Sequence, residues 1–253
     1  MARQDWYPGH MVVTQKVIRD LAPYLSCFVE VVDARAPELS RHRPLAQWVG
    51  RTPVVVVLNK SDTADPPATE RWVNWYREHG IPAVALSADT PQAPERLRRV
   101  IMKAVSGPYR VSVVGLPNLG KSTVLNRMVG RHRVKTGGKP GLTRGPQWIR
   151  LNDGWEWLDL PGVITPHKSR DWRLKLLGVV PIDAEQTLEV AAQAWALYHP
   201  NDPEEAWLEW GAHRGYLKKG GGVDAQRTAQ AIITGFRDAR LGRISLEAPP
   251  SLS

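Results

Sequence analysis

Gly115-Leu116-Pro117-Asn118-Leu119-Gly120-Lys121-Ser122 fits the pattern G-x-x-x-x-G-K-[ST], a loop whose chemistry is phosphate binding. Its glycines let successive backbone N–H groups, from Asn118 through Leu119, Gly120, Lys121, Ser122 and Thr123, curl around phosphate oxygens. Lys121 has the charge and reach for β- and γ-phosphates, and the Ser122 hydroxyl suits Mg²⁺. Asn59-Lys60-Ser61-Asp62 fits N-K-x-D. The Asp62 carboxylate can accept two hydrogen bonds from guanine, through N1–H and the 2-amino group. Adenine offers neither and would leave a buried acceptor unpaired. Asn59 would brace the loop, and the Lys60 stem would lie along the base. Ser87-Ala88 resembles a second base loop, in which a backbone N–H reads guanine O6. Asp159-Leu160-Pro161-Gly162 fits D-x-x-G, with Asp159 serving Mg²⁺ through water and the Gly162 N–H serving a γ-phosphate. Thr143 stands between the two phosphate motifs, where a switch threonine would complete the Mg²⁺ shell.

These residues need strands that end at one edge of a sheet. Tyr109–Val114 reads as a short buried strand leading into the phosphate loop, and Leu125, Met128 and Val129 continue it as a helix up to Gly130. Pro53–Leu58 is apolar on both faces, as in a central parallel strand, and delivers Asn59. Ser26–Val32 is a strand ending at Asp33-Ala34-Arg35-Ala36-Pro37, and Ile81–Leu86 is a strand running into Ser87. Pro66–His79 reads as a helix whose Trp72, Trp75 and Tyr76 are core. Asn152-Asp153-Gly154 joins strands 147–151 and 155–158 as a hairpin. From about Leu174 the pattern is helical. Ala184–His199 has one apolar face, Asp202-Pro203 should open the next helix, and Asp224 should cap a last one that Gly242 ends, with Arg237 and Arg240 in its final turn. The expected architecture is α/β with a mainly parallel sheet over residues 1–170, followed by a small all-helical domain over 171–253.

The chain has 253 residues and is 42% hydrophobic, with a mean hydropathy of -0.34, enough for a sizeable core. No apolar run approaches the roughly eighteen residues of a membrane span. No signal peptide opens the sequence, and the one cysteine, Cys27, sits in an apolar run. A soluble cytoplasmic protein without membrane contact is expected. The formal charge is +9 and lies in the first two thirds: residues 1–164 hold 23 Lys+Arg against 14 Asp+Glu, while 165–253 hold 11 of each. Arg127, Arg131, Arg133, Lys135, Lys139, Arg144 and Arg150 follow one another without an acid, which favours contact with nucleic acid over a merely solvated face. Arg237, Arg240 and Arg243 form a second candidate patch, although the first two equally suit a helix C-terminus.

The guanine motif precedes the phosphate loop, the reverse of the usual GTPase order, so the sequence describes a circularly permuted P-loop domain. Its second switch leads straight into the helical part. With Trp6-Tyr7-Pro8-Gly9-His10-Met11, Asp33–Pro37, Pro140-Gly141-Leu142-Thr143, Arg214-Gly215-Tyr216 and Leu241–Glu247 added to the motifs above, the chain resembles the ribosome biogenesis GTPase A family from about Trp6 to Glu247. The resemblance implies GTP or GDP with Mg²⁺, GTP hydrolysis, and late assembly of the large ribosomal subunit through a subunit precursor and its rRNA, with no DNA partner. It also points to K⁺ at Asn118. Val163 replaces the glutamine that orients the attacking water in Ras-like proteins, so intrinsic hydrolysis should be slow. His10 is the candidate for that water, alongside Lys121 and Thr143 as catalytic groups. The alternative is an RNA-binding assembly module whose nucleotide is only structural.

Overall fold

The computed structural model describes residues 8–130, 147–160 and 171–250. Six strands among them form one sheet: β1 (Cys27–Asp33), β2 (Val54–Asn59), β3 (Ala83–Ala85), β4 (Arg110–Val114), β5 (Gln147–Arg150) and β6 (Glu156–Asp159), in the order β3-β2-β1-β4-β6-β5. All neighbours are parallel except β5 and β6, which pair through the Asn152–Gly154 hairpin. β1 is buried at every residue and β2 at all but its first, as continuous apolar runs require when both sheet faces are covered. Burial pushes the Cys27 thiol up to about 12, so it serves as a neutral core group.

Alternation along β2 sends Val56 and Leu58 to one face and Val55 and Val57 to the other. The first face packs on α3 (Pro66–Glu78) through Trp72, Val73 and Tyr76. Asp65 caps that helix by accepting from the Ala68 N–H at 2.7 Å. The second face packs on α4 (Ala93–Ala104) through Leu97 and Ile101, and on α5 (Lys121–Val129) through Val124, Leu125 and Met128. α1 (Pro8–Leu21) and the short α2 (Leu45–Trp48) complete this part. With this topology the C-terminal ends of β1, β2, β3, β4 and β6 share one edge, where parallel sheets bind ligands.

The remaining described elements are helical: α6 (Trp172–Leu176), α7 (Thr187–Tyr198), α8 (Ala206–His213) and α9 (Ala225–Arg237). Their buried residues Trp195, Trp207, Ile232 and Phe236 belong to the same apolar cluster as the sheet. Among the described residues no helix is long and apolar enough to cross a membrane.

Two helix boundaries differ from the sequence reading. Asp202-Pro203 does not cap α8; the Ala206 N–H bonds to Pro203 O at 3.0 Å as a separate turn, and α8 begins after it without a side-chain cap. α9, capped by Asp224 as expected, stops at Arg237 rather than near Gly242. Ala239 takes the left-handed position at φ 54°, and the Ala239 and Arg240 N–H groups return to Phe236 O and Gly235 O at 3.1 and 2.8 Å. This is a Schellman ending built without its usual glycine. It places Arg240 outside the helix.

Candidate nucleotide site

Asn59 holds the site together. Its Nδ2 donates to Leu119 O at 2.8 Å, and its Oδ1 accepts from the Ala88 N–H at 3.0 Å. One buried side-chain amide thus fixes the phosphate loop against the second base loop, the Ser87-Ala88 pair. Gly120 lies under that amide at φ 92°, where a Cβ would stand 2.2 Å from Asn59 Nδ2. Gly115, at φ 140°, crosses Val31 so closely that a Cβ would meet its carbonyl oxygen at 2.4 Å.

Lys60 and Asn118 both occupy the left-handed region, at φ 60° and 61°. Lys60 Nζ donates to Asn118 O at 3.1 Å and lies 3.5 Å from the Asp33 carboxylate. Burial lowers the Lys60 pKa, although Asp33 acts against it. The Asn118 side chain points elsewhere, its Nδ2 donating to Gly178 O at 2.7 Å in the helical part. Asp62 is exposed at the same edge, and Ser87 accepts from the Thr90 hydroxyl at 2.8 Å through its carbonyl.

Lys121 donates to Leu116 O at 2.7 Å, and no carboxylate pairs with it among the described residues. Burial holds its pKa down to about 8. An ammonium whose protein partner is a neutral carbonyl is suited to an incoming phosphate, which would favour its charged form and raise the pKa again. Asp159, at the end of β6, has no cationic partner among the described residues, and burial raises its pKa. A nearby divalent cation would reverse that shift. Ser122 and Thr123 are half-buried in the first turn of α5. The glycine cradle, Lys121 and the Ser122 and Asp159 oxygens together fit a Mg²⁺-bound nucleotide. Thr143, Gly162, Val163 and the His10 side chain lie outside the described residues.

The basic segment needs revision. Arg127 is committed to structure: Nε donates to Ala88 O at 3.2 Å and a terminal nitrogen donates to Asp89 O, so it buttresses the base loop. Arg150 pairs with Glu156 at 3.0 Å across the hairpin. Arg131, Arg133, Lys135, Lys139 and Arg144 lie outside the described residues. Arg237 is likewise committed, donating to Leu176 O and Lys175 O at 2.8 and 2.9 Å.

The sequence reading assigned no role to Asp33 and Arg35. Both are buried. Arg35 Nε and Nη2 grip the Asp33 carboxylate at 2.8 and 2.9 Å, while Nη1 reaches Phe236 O and Arg237 O at 3.2 and 3.3 Å. Burial opposes ionisation of Asp33, but Arg35, aided by Lys60, overcomes it and leaves the carboxyl below its ordinary range. The available signal was a charged pair ending a strand beside the one that carries Asn59.

Residues 110–197 match the family model described as "50S ribosome-binding GTPase". The chain is 30% identical to ribosome biogenesis GTPase A of Priestia megaterium, over 97% of this chain and 96% of that protein. It is 31% identical to the protein of the same name from Thermotoga maritima, over 98% and 96%. A GDP-bound YlqF structure superimposes with a TM-score of 0.72 at 30% identity, covering 92% of this chain and 99% of the other. A GNP-bound YlqF from T. maritima gives 0.72 at 27%, covering 94% and 99%.

Proposed function

This chain belongs to the ribosome biogenesis GTPase A family, and from that premise we propose that it is a GTP-hydrolysing assembly factor. We assign it a cytoplasmic role on precursors of the large ribosomal subunit, late in their maturation, in contact with rRNA. The observation that carries the nucleotide reading is Asn59, which ties the phosphate loop to the base loop at one sheet edge. In this reading residues 1–170 are the GTPase domain and 171–253 the helical domain that contributes RNA contacts.

Asn59, Lys60, Asp62, Ser87 and Ala88 hold guanine. Asn118 through Thr123 and Gly162 hold the phosphates. Ser122, Thr143 and Asp159 hold Mg²⁺, which supplies charge neutralisation at the β- and γ-oxygens. Lys121 stabilises the charge that develops there. Asn118 Oδ1 is the atom offered to K⁺, a role that requires turnover to differ between KCl and NaCl.

The Val163 side chain has no polar atom to position water, so intrinsic turnover is slow and the particle stimulates it, with His10 orienting the attacking water. GTP turnover with and without large-subunit particles tests the whole reading. Stimulation by the particle is expected, and His10→Ala should cut stimulated turnover on the order of 10²-fold with GTP affinity unchanged. Turnover indifferent to particles would instead favour an RNA-binding module with a structural nucleotide.

A further inference from the structure

The helical part carries a cavity of about 500 Å³, remote in the sequence from the nucleotide motifs, between α8, the segment after it and α9. Two half-buried aromatic rings form part of its wall, Trp210 and Tyr216, set edge to face with centroids 6.0 Å apart. A guanidinium covers each: Arg214 lies 5.0 Å from the Trp210 ring and Arg227 lies 4.9 Å from the Tyr216 ring. Both arginines are exposed, and neither pairs with a carboxylate among the described residues. Arg240 also lines the cavity and is paired with Asp238 at 2.7 Å; no acidic side chain is part of the lining. Directly after Tyr216, a tight turn closed by the Leu217–Val223 bridge raises exposed Lys218 and Lys219 on Gly220, Gly221 and Gly222.

We infer that this cavity is a binding site for single-stranded RNA, taking one unstacked base against Trp210 or Tyr216 with its flanking phosphates on Arg214 and Arg227. The volume falls in the range of small-molecule pockets and admits a nucleotide. Guanidinium groups already lying over the rings show that the ring faces are open to a polar partner. A base can stack on the same faces, and each displaced guanidinium then has a phosphate beside it. A duplex keeps its base faces inside the stack and cannot use the rings. A polyglutamate segment matches the charge but has no ring to stack on them. The identity of the strand as rRNA rests on the assembly-factor reading; the site itself does not.

The test uses the full chain and a fluorescent, mixed-sequence ribo-oligonucleotide of about twelve nucleotides. Affinity is measured against salt for the wild type, for the double variant R214Q/R227Q and for Tyr216→Leu. The double variant should lose about tenfold in affinity and flatten the logarithmic salt slope by about one to one and a half, as expected for two lost phosphate contacts to a single strand. Tyr216→Leu should lose on the order of tenfold with the slope unchanged, because it removes stacking and no charge. Ultraviolet crosslinks should fall on the peptide holding Trp210 and Tyr216. Equal affinity for the same sequence as duplex, wild-type affinity in both variants, or equal competition by a polyglutamate peptide would each overturn the assignment. GTP binding monitors the fold of each variant. Particle-stimulated turnover, read separately, is where the assembly-factor reading itself would fail.

Discussion

Arg35 is 1% exposed, and each nitrogen of its guanidinium has an oxygen to meet. The carboxylate of Asp33 takes two of its donors and the last carbonyls of α9 take a third, while Phe236 lies beneath it at 4.7 Å. Burying such a pair gains little over an apolar replacement, but breaking it leaves the buried Asp33 carboxylate to Lys60 at 3.5 Å and the α9 carbonyls without their donor. Arg35→Met should therefore cost about 3–5 kcal/mol in urea unfolding. The double variant Asp33→Leu/Arg35→Met should cost less than the sum of its single changes. Arg35→Lys is not a conservative repair, since an ammonium cannot fork across a carboxylate and two carbonyls at once. A loss below about 1 kcal/mol for Arg35→Met would place the pair among the weak surface bridges and remove its claim to hold α9.

At the scale of elements, the approach of α8 to α9 depends on a missing methyl group. A Cβ on Gly211 would lie 2.2 Å from Thr228 Oγ1 and 2.4 Å from its Cγ2. Thr228 cannot swing away cheaply, since its hydroxyl donates to Asp224 O at 2.8 Å inside the α9 cap. Gly211→Ala, normally favourable in a helix, should here destabilise by about 1–3 kcal/mol through overpacking. Thermal unfolding would read it, and Gly211→Ala with Thr228→Ser should recover part of the loss. Little of this contact was legible in the sequence: Gly211 breaks no pattern, and its partner lies in another helix. What was legible followed from local rules. Continuous apolar runs marked β1 and β2, glycine spacing marked the phosphate loop, and Asp224 marked the start of α9. The end of α9 was misread because Gly242 is the obvious stop, whereas tertiary contact to Arg35 fixes its last carbonyls one turn earlier. Arg127 was misread for a similar reason, since its composition says cation but its two carbonyl partners lie nearly forty positions away.

Across the whole molecule these contacts close a ring. Asn118 in the phosphate loop donates to Gly178 O and accepts from Lys60, and Lys60 faces Asp33. Asp33 holds Arg35, and Arg35 takes the C-terminal carbonyls of α9. Arg237, at the end of α9, returns to the carbonyls of Lys175 and Leu176, and its guanidinium lies against Gly178. The nucleotide motifs and the helical part are therefore two sides of one circuit of hydrogen bonds and ion pairs. A ligand that reorders the phosphate loop acts on α9 through it, to the extent that it favours one arrangement of the ring over another. Hydrogen exchange can follow this. GTP should alter amide protection in the phosphate loop, at Gly178–Val180 and in the last turn of α9 together. Arg237→Gln opens the ring on its helical side, at the bonds to Lys175 and Leu176. It should leave the phosphate-loop response intact and remove most of the response in α9. GTP affinity in that variant should shift by no more than the lost coupling, within the roughly 5–150-fold range typical of linked sites. An α9 response to GTP that is unchanged in Arg237→Gln would mean that the helices sense the nucleotide by a route other than this ring.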